Sequence, residues 1–281
     1  MRIALLCDES AGARILQVLA RGPHQLAAVL TSTTGPVWAL ATRLGYRPLP
    51  AGGAREPRFA EDLATAQVDV LLNVHSLVIL PEPVLRVPRL GAFNLHPGPL
   101  PRYAGLNAPS WAIYRGEREH GVTVHRMELG IDTGDIVYQE TFPIEAEDNA
   151  LSVALRCIDR GVALLQRLLD AAAAGAIPRI PQDPAQRSYF GRGVPQDARI
   201  EWKAPARRIY DFVRACDYHP FPSPWGTPRA RIGGQEIAVQ RVALTGEPCN
   251  DAPGNVREDD RGRRLVACAD EWLWLKKATA C

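Results

Sequence analysis

Three short apolar runs, Arg2–Cys7, Gln25–Thr31 and Val68–Val74, alternate with stretches of helical spacing at Ala11–Ala20, Val37–Leu44 and Arg58–Ala66. Apolar runs of this length read as buried strands. Strands that alternate with helices build a parallel sheet of the doubly wound α/β type. Ligands of such sheets bind beyond the carboxyl ends of the strands. Ala92–His96 fits a further strand, which sets Asn94 and His96 at such an end.

Ser110–Arg115 reads as a helix. In Gly121–Met127, Val122, Val124 and Arg126 alternate with Thr123, His125 and Met127, as in a strand. Ile136–Pro143 reads as its hairpin partner or near neighbour. Leu151–Ala174 is a long amphipathic helix stopped by Gly175 and Pro178. Ile177–Gln196 is rich in Pro, Gln and Arg and reads as a linker. A smaller unit follows, with a helix at Pro205–Ala215 and short strands that end in Arg264–Ala269 and Glu271–Lys276.

Asn94 and His96 stand two residues apart, so on a strand they share a face. Pro97, Pro99 and Pro101 then stiffen the exit. Downstream, Gly130-Ile131-Asp132-Thr133-Gly134-Asp135 offers carboxylates in a turn. An amide donor, an acid–base imidazole and a carboxylate make a kit suited to acyl transfer.

Composition narrows the alternatives. A formal net charge of +2 over 281 residues gives no general reason to expect nucleic acid or an anionic membrane as partner. The apolar start, Met1–Cys7, is cut short by Asp8, Glu9 and Ser10, and no run approaches a membrane span. The expected location is cytoplasmic. The six cysteines, Cys7, Cys157, Cys216, Cys249, Cys268 and Cys281, are scattered, with no zinc spacing. They are expected as free thiols, buried except for Cys281.

These motifs resemble the 10-formyltetrahydrofolate-dependent formyltransferases, a family that includes methionyl-tRNA formyltransferase, sugar N-formyltransferases and formylation domains of peptide synthetases. The resemblance rests on Val70–Leu85 with Ile79-Leu80-Pro81, on Asn94-Leu95-His96-Pro97 and on Leu129–Asp135. Further on it rests on Tyr189-Phe190-Gly191-Arg192, Arg199–Trp202, Pro253–Val256 and Leu265–Asp270. It implies a Rossmann-like catalytic domain at 1–180, a linker at 181–204 and a small OB-like β-barrel at 205–281. It gives Asn94 the formyl oxygen as partner, makes His96 the group that polarises the carbonyl, and makes Asp132 the residue that orients His96 and helps deprotonate the amine. It implies 10-formyltetrahydrofolate as co-substrate and no metal. The folate is expected between Leu77, Ile79 and Leu80 on one loop and Leu129, Gly130 and Ile131 on another. Gly98-Pro99 stands where many relatives have Ser-Leu, and Ala104-Gly105 where many have Arg-Gly. Both departures fall on the acceptor side, to which Arg102, Tyr103, Asn107 and Trp225 are assigned.

Other roles compete for these residues. Asp135 serves the turn or the site, His75 and His125 read mainly as structural, with the lining of the acceptor side as the alternative for His125, and Asn107 reads first as a helix cap. The expected activity is N-formylation of the amine or hydroxylamine of a small intermediate, such as an amino sugar nucleotide or an amino-acid derivative. Formylation of Met-tRNA needs a basic face. From Gly226 to Cys281 nine basic side chains meet eight acidic ones, so nucleic acid is not expected. Formyltetrahydrofolate hydrolysis is a second enzymatic alternative. A nucleotide-binding regulatory module is the non-enzyme alternative, and Leu6–Gly12 lacks the Gly-x-Gly-x-x-Gly turn it would use.

Overall fold

The apolar runs become sheet interior. In the computed structural model, which describes residues 1–280, the chain begins β1 (Arg2–Cys7), α1 (Glu9–Arg21), β2 (Gln25–Thr31), α2 (Pro36–Arg43), β3 (Leu49–Pro50), α3 (Pro57–Thr65), β4 (Val70–Val74), α4 (Glu82–Arg86), β5 (Gly91–His96) and β6 (Ala104–Gly105). It continues α5 (Ala108–Tyr114), β7 (Glu119–Arg126), β8 (Ile136–Pro143), α6 (Ala150–Ala173), β9 (Tyr189–Phe190), α7 (Ala206–Ala215), β10 (Arg229–Ile232), β11 (Gln235–Pro248), β12 (Val256–Glu258), β13 (Arg264–Ala267) and β14 (Glu271–Ala280). Cys281 lies outside the described residues. The other five cysteines are free and buried.

Two compact units emerge, both discontinuous in sequence. The first comprises 1–105, 121–141 and 156–189, and the second 106–120, 142–155 and 190–281. The first unit is built on a seven-stranded sheet of order β3-β2-β1-β4-β5-β7-β8. Its strands are parallel from β3 to β5. This is the expected parallel, doubly wound core; β7 joins it at β5 and runs antiparallel to it. The alternation seen in Gly121–Met127 is not one of burial, since 120–125 are buried throughout. This strand is covered on both faces, so its polar residues are enclosed as well.

The strand that carries Asn94 and His96 is seated by α6. That helix buries Val153, Cys157, Leu164, Leu165 and Leu168 along one stripe. At Gly161 it meets Leu95, the residue between Asn94 and His96. A Cβ built on Gly161 would lie 2.7 Å from Leu95 Cδ1 and 2.8 Å from Cδ2. Glycine therefore lets helix and strand approach, and Leu95 anchors β5 from the face opposite Asn94 and His96.

The second unit is an antiparallel five-stranded sheet of order β10-β11-β14-β13-β12. The last strand runs to Ala280, beyond the expected Lys276. Helices α5 and α7 pack together. Trp111 stacks on Phe190 at 4.6 Å between centroids and meets Trp225 edge-on at 4.8 Å.

Gly161→Ala should cost about 1–3 kcal/mol in chemical denaturation, the usual range for overpacking. Because the displaced residue is Leu95, turnover should fall along with stability.

Candidate active site

β5 carries Asn94 and His96 to the carboxyl end of the sheet, as their spacing implies. Past His96 the chain must turn at once. Thr123 of β7, the register partner of His96, fixes that turn: its hydroxyl donates to the Gly98 carbonyl at 2.7 Å and accepts from the Leu100 N–H at 3.2 Å. The Gln139 amide adds bonds to Thr123 Oγ1 and to the Leu100 carbonyl.

Asp132 arrives from the loop between β7 and β8, in the left-handed region at φ 54°. The loop needs its glycines, since a Cβ on Gly130 would fall 2.4 Å from Thr133 Oγ1 and one on Gly134 2.1 Å from the Arg126 carbonyl oxygen. Two residues from the expected linker tie the loop down. Gln182 donates to the carbonyls of Asp132 and Gly134, at 3.0 and 2.7 Å. Arg187 donates to those of Ile131 and Asp132, at 2.7 and 3.3 Å. Their segment is Pro-rich and aperiodic, so nothing in its pattern announces this role.

The structure brings Asn94, His96 and Asp132 together. Asp132 Oδ2 lies 3.4 Å from His96 Nδ1 and accepts the Gly105 N–H at 2.8 Å. Asp132 Oδ1 accepts from Asn94 Nδ2 at 3.4 Å. A fourth group joins them: His125 Nε2 is 3.3 Å from Asp132 Oδ1 and 3.1 Å from Asn94 Nδ2. His96 Nε2 donates to the Tyr103 carbonyl at 2.7 Å. Burial lowers the affinity of His96 for a proton, against the pull of Asp132. Burial alone would raise the Asp132 carboxyl, but His96, His125 and the Gly105 N–H overcome it and hold Asp132 well below the usual carboxylate range. The result is an ionised carboxylate set against an imidazole, with an amide alongside.

The apolar loops behave unequally. Leu77, Ile79, Leu129 and Ile131 stand in solvent, whereas Leu80 is only 3% exposed and belongs to the core. Val78 and Met127, at the bases of the two loops, pack on that same core cluster. An exposed apolar pair thus faces solvent on each loop, above a shared base.

On the expected acceptor side, Arg102 is exposed. Tyr103 is buried at φ 61° and reaches the site through its carbonyl. Asn107 sits at the α5 N-cap in the left-handed region and makes no side-chain cap bond, so the capping expectation fails. Its position uses the tolerance of Asn for that conformation. Trp225 is in the second unit, 3% exposed within the aromatic cluster, and Phe221 is the ring this segment presents to solvent. Asp135 pairs with Arg179 at 2.8 Å, and His75 faces Glu9 at 3.6 Å.

Comparison with known proteins gives a consistent result. The formyl transferase family profile matches residues 3–169, and the profile of the formyl transferase C-terminal domain matches 194–280. An N-formyltransferase from Helicobacter canadensis, solved with folinic acid and dTDP-3-aminofucose, superposes with a TM-score of 0.75 at 18% identity, covering 97% of this chain and 98% of that one. A 4-N formyltransferase from Francisella tularensis gives 0.68 at 16%, covering 95% and 96%. HypX from Aquifex aeolicus, with tetrahydrofolic acid, gives 0.65 at 19%, covering 100% of this chain and 44% of that one.

Arg187→Met should loosen the Asp132 loop and lower the melting temperature by an amount worth about 1–3 kcal/mol, since two charge-assisted hydrogen bonds are lost. Thermal denaturation checks it. Acid should destabilise the fold. The folded pKa values of His96 and Asp132 both lie below their unfolded values, so the unfolded chain takes up protons first. The His96 contribution is complete above about pH 6.5 and that of Asp132 above about pH 4, and each is lost as pH falls. The melting temperature should drop on acidification, with a weaker drop in Asp132→Asn.

Proposed function

Because the chain belongs to the formyl transferase family, we propose that it moves the formyl group of 10-formyltetrahydrofolate to the nitrogen of a small biosynthetic amine or hydroxylamine. The observation that carries this reading is the placement of Asp132 3.4 Å from both the His96 imidazole and the Asn94 amide.

The formyl oxygen takes a hydrogen bond from Asn94 Nδ2 and takes over the His96 Nε2–H now given to the Tyr103 carbonyl. The acceptor nitrogen attacks the formyl carbon with its lone pair, and the C=O π electrons move to oxygen. Asn94 and His96 stabilise that charge, each donor lowering the barrier by about 3–4 kcal/mol. The proton leaving the attacking nitrogen passes toward Asp132, directly or through a water. The oxygen lone pair then re-forms the carbonyl, the bond to folate N10 breaks, and N10 takes a proton.

The folate lies between the Leu77–Pro81 and Leu129–Asp132 loops, because a flat pterin needs apolar walls and nearby backbone groups. Exposed Leu77, Ile79, Leu129 and Ile131 provide such walls. The folate ligands named for the Helicobacter and Aquifex proteins support the donor class. The Helicobacter ligand also supports an amino sugar nucleotide as one acceptor, and an amino-acid-type amine remains the other. The near balance of charge in 226–281 argues against tRNA.

Incubation with 10-formyltetrahydrofolate and a panel of amino sugar nucleotides, ornithine derivatives and Met-tRNA should yield one small product in which a formyl replaces a hydrogen, seen by mass spectrometry. His96→Ala should cut its formation about 100-fold with folate binding kept. Formate release without any formylated amine would identify a hydrolase instead.

A further inference from the structure

The sheet itself places a fourth polar group in the site. Asn94 of β5 and His125 of β7 are register partners, so their side chains leave one face side by side. The His125 ring is buried. Its Nδ1 lies 2.7 Å from the Arg126 carbonyl oxygen. A carbonyl only accepts, so Nδ1 carries a hydrogen, and in the neutral ring Nε2 is the bare nitrogen. Nε2 has two polar neighbours, Asn94 Nδ2 at 3.1 Å and Asp132 Oδ1 at 3.3 Å. Of these only the amide can donate to it.

We propose that His125 is a positioning residue for formyl transfer: its Nε2 accepts one Asn94 amide hydrogen and thereby aims the other at the formyl oxygen. This rests on the formyl-transfer reading of the site and adds a residue to it. Asn94 has only two amide hydrogens. With one given to His125, the second faces Asp132 Oδ1 across 3.4 Å, a long contact that is readily surrendered to a better-placed acceptor. His125 also decides which end of the amide faces the reacting carbon. A flipped Asn94 would set its own oxygen against the bare Nε2, acceptor against acceptor, and would offer the formyl oxygen no donor. A side chain that only filled space in this enclosed strand would avoid the cost of burying a polar ring.

The test compares His125→Leu, which fills much of the volume without an acceptor, with His125→Gln, whose amide oxygen reaches near the Nε2 position. Readouts are kcat, the KM for 10-formyltetrahydrofolate, the melting temperature and the Asn94 side-chain amide NMR resonance, assigned by its loss in Asn94→Asp. His125→Leu should lower kcat by about 10- to 100-fold with the folate KM little changed, and His125→Gln should recover most of the loss at a similar melting temperature. The Asn94 amide proton should be shifted downfield in the wild type and in His125→Gln only. A wild-type kcat in folded His125→Leu, or equal losses in both variants, would overturn the proposal. If His125→Leu does not fold, the Asn94 resonance in His125→Gln decides: a shift like that of the wild type supports the proposal and its absence overturns it. The resonance needs no turnover. A wild type that formylates no amine therefore refutes the formyl-transfer reading, while the resonance separately judges the hold of His125 on Asn94.

Discussion

A carboxylate taken out of water must find replacements for its hydration, or it takes up a proton and stops being a carboxylate. Asp132 finds them in the Gly105 N–H and the Asn94 amide, with the imidazoles of His96 and His125 packed against it. Much of the first unit can be traced to this demand. β5 and β7 must be neighbours for Asn94 and His125 to reach one carboxylate. The loop must be tight enough to hold Asp132 at φ 54°, which requires the glycines on either side. Its carbonyls must be satisfied as well, and Gln182 and Arg187 do that.

The scaffold suits a site that tolerates little motion. Polar groups on strands are positioned better than groups on loops, and three of the four polar side chains here are on strands. Asn94 and His125 are held by the register of the sheet, while Leu95, on the opposite face, is clasped by α6 at Gly161. The antiparallel entry of β7 also brings Thr123 opposite His96, where its hydroxyl ties down the turn after β5.

The second unit follows a different logic. Its α7 buries an ion pair, Asp211 with Arg214 at 2.8 Å, and the Arg214 guanidinium also donates to the Asp148 carbonyl at 2.8 Å. Full pairing keeps such burial tolerable. Trp111, Tyr114, Phe190 and Trp225 form an aromatic cluster that meets α7 at Phe212, 5.5 Å from Tyr114 between centroids. Trp225, which looks in the sequence like a residue free to meet a ligand, is drawn into this cluster because a large ring gains more from burial than from exposure.

The sequence by itself determined the longer strands and helices of the first unit, because hydrophobic period and punctuation by Gly and Pro are local properties; the short β3, α4 and β6 carry too few residues to show a period. It also determined that Asn94 and His96 share a face, which follows from the two-residue repeat of a strand, and it marked Asp132 through the turn around it. Only the tertiary structure decided that β7 runs antiparallel beside β5, since strand order depends on packing between distant segments. That one pairing made His125 a neighbour of Asn94, although it lies 31 residues away in the chain. Tertiary structure likewise made Gln182 and Arg187 the supports of the Asp132 loop, and it buried Leu80 while leaving Leu77 and Ile79 in solvent. Periodicity shows where a side chain points along its own element, but which groups meet there depends on how the elements pack.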